Sequence, residues 1–89
     1  MLIERGMTVR GTDGDLGTVS DVVADEGLDV FRGIILSEGL LLPRRKFVAA
    51  GYVSRVEQNV VCVTLTKQEA NALPSEAEAS TSQGTGKGS

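Results

Sequence analysis

Apolar and polar positions alternate in short runs along most of the chain, and no stretch before residue 66 keeps the three-to-four spacing of a helix. Met7–Arg10 is a brief apolar/polar segment. Leu16–Asp25 carries Val19, Val22 and Val23 between flanking carboxylates. Val30–Ser37, VFRGIILS, is β-branched and apolar on both faces, the pattern of a central strand. Leu40–Leu42 is an apolar run that stops at Pro43, which cannot donate to a central ladder. Tyr52–Glu57 and Val60–Leu65 flank Gln58-Asn59, the length of a two-residue hairpin loop, and Asn tolerates positive φ. Turn signals recur at roughly 8–12 residues, the spacing of a small barrel or sandwich.

One segment breaks the period of two. Val19 and Val22 have opposite parity, so both reach a core only if an extra residue is absorbed between them. A β-bulge near Ser20-Asp21 does this and bends the strand; a strand buried on both faces is the alternative. After Leu65 the pattern changes. Thr66-Lys67-Gln68-Glu69 fits a capping box. Ala70, Ala72 and Leu73 continue a short helix, and Pro74 discourages its extension. Ala70 and Leu73 are expected to dock on the barrel and close one end. Residues 75–89 hold no Val, Ile, Leu or aromatic side chain, so they read as a disordered polar tail after a single domain over residues 1–74.

Composition narrows the chemistry. The chain has 89 residues, 40% of them hydrophobic, with Phe31, Phe47 and Tyr52 as its only aromatics, so the core is aliphatic. The net charge is −3, which argues against nucleic acid as a general partner. Without histidine there is no Ser-His-Asp arrangement, and the lone Cys62 builds neither a disulfide nor a thiolate zinc site. Within the apolar VVCVTL, Cys62 reads as a small buried hydrophobe. MLIERGM lacks the apolar run of a signal peptide or membrane span. These readings predict a cytoplasmic, non-catalytic protein with no cofactor and no metal.

The stretch GMTVRGTDGDLGTVSDVVAD, Gly6 to Asp25, holds four glycines and four aspartates and tests that prediction. A calcium loop starting at Asp13 needs an oxygen ligand at 17 and a Glu at 24; the chain has Gly17 and Ala24. A dinucleotide fingerprint needs glycines spaced two and then three apart, whereas Gly11, Gly14 and Gly17 are spaced three and three, and a β-branched run follows. Turn chemistry fits better: Asp13-Gly14 is a favoured hairpin dipeptide. Asp13, Gly14 and Gly17 are therefore assigned to a structural turn.

In order and spacing, these residues resemble a PRC-barrel domain. The resemblance rests on Gly6, Met7 and Val9, Asp13-Gly14, Gly17-Thr18-Val19, Asp21-Val22-Val23, the apolar-Pro step Leu42-Pro43 and a final hairpin ending in alternating valines. It covers roughly residues 4–73. It implies an all-β fold, a small six-stranded barrel with a short C-terminal helix, acting as a binding module without a catalytic set. Relatives of this kind occur in the photosynthetic reaction centre's cytoplasmic subunit and in a ribosome-maturation factor. The chain departs from the family pattern at Pro43-Arg44-Arg45-Lys46-Phe47, where an acidic or polar pair is usual.

Three function classes follow. The leading one is a protein-interaction module with a protein partner or a second copy as a homodimer. The next is an RNA- or ribosome-associated adaptor using a basic loop, Arg44, Arg45 and Lys46, with Arg32 or Arg55 nearby. The weakest is an enzyme or small-ligand binder, since no convergent polar set is visible. Arg44, Arg45 and Lys46 are the candidate partner-binding residues, placed on a loop or edge just after Pro43. Phe47 is expected to turn back into the core behind them. Asp21, Asp25, Glu26 and Asp29 form a possible acidic rim, with a solvated face as the simpler reading.

Overall fold

A computed structural model describes residues 3–25, 30–39 and 44–75. Leu40–Leu42, Pro43, Glu26 and Asp29, and the tail from residue 76 onward, lie outside the described residues. The elements run β1 (Thr8–Gly11), β2 (Gly14–Asp25), β3 (Val30–Glu38), β4 (Arg44–Ala49), a short 3₁₀ turn (Ala50–Tyr52), β5 (Val53–Glu57), β6 (Val60–Val63) and α1 (Lys67–Asn71). The fold is all-β with one short helix. The strands form one sheet in the order β4-β3-β2-β1-β6-β5. Strands β1 to β4 are an antiparallel meander, and the β5–β6 hairpin joins it through a parallel β1–β6 ladder. Among the described residues no ladder links β4 to β5, so the described sheet is open.

The ladders of the sheet are interrupted by extra residues. The β2–β3 register passes from Val19↔Leu36 to Asp21↔Ile35, so Ser20 is the extra residue where the valine parity requires one. Val19 then shares the core face with Val22. Further extra residues fall at Leu16 in β2, Arg32 in β3 and Ser54 in β5. Each such insertion bends its strand and raises the local twist.

The core lies on one face of the sheet. Val9, Ile34, Leu36, Val48 and Val61 are fully buried, joined by Met7, Val19, Val63, Leu65 and Ala70. Strand β3 is apolar on both faces, as expected: Ile34 and Leu36 enter the core while Ile35 is buried on the opposite side, paired with Asp21 and Phe47. That placement corrects Phe47. It is half-buried beside Ile35 rather than in the core, because Val48 takes the inward position of β4. Cys62 is corrected likewise. It is half-buried, since Val61 and Val63 occupy the inward positions of β6.

Helix α1 packs against β2 and β4. Thr66 Oγ1 accepts the Glu69 N–H at 3.0 Å and Glu69 Oε1 accepts the Thr66 N–H at 2.9 Å, completing the capping box. Ala70 is buried in the core and Leu73 packs against it. The loop Gln58-Asn59 joins β5 to β6, with Asn59 at φ +66. Asn59→Ala should cost about 1 kcal/mol, the order of the left-handed penalty for an ordinary residue, while Asn59→Gly should be close to neutral. Urea denaturation of the two variants checks this.

The first hairpin is present but its turn is displaced by one residue. Gly11 pairs with Gly14, so Thr12-Asp13 is the two-residue turn and Gly14 opens β2 at φ +139. Asp13 does not cap its own turn. Its Oδ1 accepts the Lys67 N–H at 2.9 Å, and Thr12 N donates to Leu65 O at 2.8 Å. The hairpin tip is thereby tied to the start of α1.

Candidate interaction surface

Of the loop or edge expected just after Pro43, Arg44, Arg45 and Lys46 occupy an edge. They lie in β4, an edge of the sheet, paired with Glu38, Ser37 and Leu36 respectively. Strand alternation divides them between two faces. Lys46 lies on the core side, over the end of α1, where its Nζ donates to the backbone oxygens of Asn71 at 3.1 Å and Leu73 at 3.3 Å. Arg44 reaches the same end of the helix, donating to Asn71 Oδ1 at 3.3 Å. A cation beside the last carbonyls of a helix satisfies acceptors that lack an intrahelical partner. Arg45 lies on the opposite face and adds to the field that favours the Asp21 carboxylate. The three cations therefore do not form one patch.

Lys46 thus has a structural role that the sequence did not announce. The carbonyls it satisfies are more than twenty residues away, and no local pattern links them. Lys46→Met should lower stability by about 1–2 kcal/mol, the scale of hydrogen bonds to a charged group, whereas Arg44→Met should stay within about 0.5 kcal/mol. Paired thermal melts of the two variants distinguish them.

The acidic residues are largely engaged. Asp21 Oδ1 accepts the Val22 N–H at 2.8 Å and lies 3.3 Å from Arg5 Nη2. The Val22 hydrogen bond, then Arg5, holds the Asp21 carboxyl below the ordinary carboxylate range. A lowered folded-state pKa stabilises the fold above the unfolded value of about 3.9, and this contribution is lost as pH falls through the folded value. A carbon-detected titration should give Asp21 a midpoint below 3.9, and Arg5→Gln should raise it towards that value. Asp15 pairs with Arg10 at 3.0 Å and Asp25 with Arg32 at 3.8 Å. Exposed pairs of this kind contribute little stability. Of the proposed rim, Asp21 and Asp25 are the described members and each has a basic neighbour.

No group of three or more potential metal-ligating side chains occurs among the described residues. A shallow open groove lined by Asp15, Leu16, Glu38, Lys67, Gln68 and Asn71 runs between α1 and the sheet. Its charges are of both signs and converge on no common point. No described helix is long and apolar enough to cross a membrane.

The two sheet edges differ. At the outer edge of β4, Phe47 N donates to Pro74 O at 3.0 Å and Lys46 pairs with Ser75, so the segment after α1 covers part of that edge. Strand β5 pairs only with β6 among the described residues. The fold is that of a small all-β domain in which β5 ends the described sheet. The family model for the PRC-barrel domain matches residues 5–69 of the 89, and the chain belongs to this family. Comparison with curated proteins found no significant match.

Proposed function

We propose that the protein is a non-catalytic interaction module that binds a protein surface, including a second copy of itself, through a strand edge of a barrel-like sheet. The observation that carries this reading is the β5 edge, which has no partner among the described residues, against a β4 edge partly covered by Pro74 and Ser75. An exposed edge is a template for another strand. The bulges at Leu16, Ser20, Arg32 and Ser54 support the barrel-like curl. The RNA-adaptor alternative needs Arg44, Arg45 and Lys46 to act together, and their division between two faces weakens it.

The test is retention from a native lysate on the immobilised protein, washed at stepped salt. A protein retained at 150 mM salt and above supports the reading. RNA alone, held at 150 mM salt and released by Arg44→Glu/Arg45→Glu, would reverse it, because phosphate contacts carry a steep salt dependence.

A further inference from the structure

Strand β5 carries the sequence Val53-Ser54-Arg55-Val56-Glu57. Its hairpin pairs Glu57 with Val60, Val56 with Val61 and Arg55 with Cys62. In an antiparallel ladder, directly opposed residues alternate between pairs that exchange hydrogen bonds and pairs that do not. The β1–β6 ladder tells which are which. Thr8 N donates to Asn59 O at 3.1 Å, so β6 presents the backbone of 59 and 61 to β1 and that of Val60 and Cys62 to β5. The Arg55 and Glu57 backbones are then used within the hairpin. The Val56 N–H and C=O point to the open edge.

The side chains add a second constraint. Arg55 and Glu57 are exposed and lie on one face, Nε to Oε2 at 2.8 Å. Val56 lies on the other face and is half-buried against the edge of the core. Arg-Val-Glu is self-complementary about its centre. An antiparallel copy with its two-fold axis at Val56 sets Val56 opposite Val56, Arg55 opposite Glu57 and Glu57 opposite Arg55. In this register the outward backbone groups of the two valines bond each other. The charged residues form the non-bonded pairs, whose side chains approach more closely. No neighbouring register works: an axis at Arg55 or Glu57 makes a close non-bonded pair of like charges and throws the flanking bonds onto Ser54 at the bulge or Gln58 in the turn, and an axis at Ser54 falls on the bulge itself.

We propose that β5 is a self-association edge and that its occupant is β5 of a second copy, antiparallel and centred on Val56. The proposal rests on the reading of the chain as an interaction module and names its surface and partner. One short strand per copy is a small contact, so the dimer is weak, with a Kd of about 0.1–1 mM.

Sedimentation equilibrium of the full chain up to about 2 mM tests it, with amide spectra confirming that each variant is folded. Arg55→Glu makes the strand wholly acidic and Glu57→Arg makes it wholly basic. By symmetry each introduces two like-charge oppositions and should weaken the homodimer about tenfold or more. An equimolar mixture of these two variants should recover a heterodimer, and the double swap R55E/E57R should recover a homodimer. Val56→Pro removes the outward N–H, which the hairpin does not use, and should abolish the dimer. A wild-type chain that stays monomeric overturns the proposal while lysate retention still decides the wider reading. A dimer that persists unchanged in all the variants also overturns it, and leaves self-association standing through another surface.

Discussion

Gly17→Ala is expected to destabilise the protein by about 3 kcal/mol or more, among the largest effects of any single methyl group here. Gly17 pairs with Val9 of β1, one residue past the extra Leu16, and lies against β3 on its other side. A Cβ built on it overlaps the backbone oxygen of Ser37 and lies 3.0 Å from Leu36 Cδ1. The carbonyl belongs to the ladder that holds β2 to β3, so it cannot move without parting those two strands. Gly51→Ala is the matched control, since nothing lies within 4 Å of its added methyl. Guanidinium denaturation should leave Gly51→Ala within about 0.5 kcal/mol of wild type. Equal midpoints for the two variants would show that β2 and β3 are not packed as described.

Leu36→Ala should cost about 3 kcal/mol, within the range of about 2–5 for truncating a fully buried leucine. Leu36 sits on β3, between Val19 on β2 and Lys46 on β4, with its side chain in the main cluster. A domain of this size has a total stability on the order of 5–10 kcal/mol. The loss therefore lowers the melting temperature by about 12–24 °C. Val30→Ala, at an end of the same strand and 46% exposed, should shift it little. Differential scanning calorimetry of the pair checks the expectation.

What could be read from the sequence was local. The β5–β6 loop, the capping box at Thr66 and the extra residue at Ser20 each follow from chemistry within a few positions. The bulge was legible because Val19 and Val22 conflict in parity. The same parity conflict stands at Phe31 and Ile34 around Arg32 and at Val53 and Val56 around Ser54, and both pairs pack on the core, but the sequence reading drew only on Val19 and Val22. Strand β4 was missed because Arg44, Arg45 and Lys46 mask an alternation that only Phe47 and Val48 reveal, and the apolar run before Pro43 drew the strand forward. The basic cluster was visible as charge. Its division between two faces depends on pairing with β3, and the anchoring of Lys46 depends on where α1 docks. Both are long-range facts. The edge charges of β5 were visible as residues, but their meaning depends on which strand is last in the sheet.

The parallel β1–β6 ladder has a bearing on how the chain reaches this fold. Thr8 and Val60 are neighbours although 52 positions separate them, whereas every other ladder joins strands consecutive in sequence. Hairpins close in microseconds, and the entropy of bringing distant segments together must be met before their contacts form. The meander and the β5–β6 hairpin are thus two locally encoded halves, and docking them is expected to be the slow step, readable as a folding rate that falls when the β1–β6 ladder is weakened. During synthesis β1 waits with a bare edge until β6 has been made. The last strand to be added is also the one that seals the first.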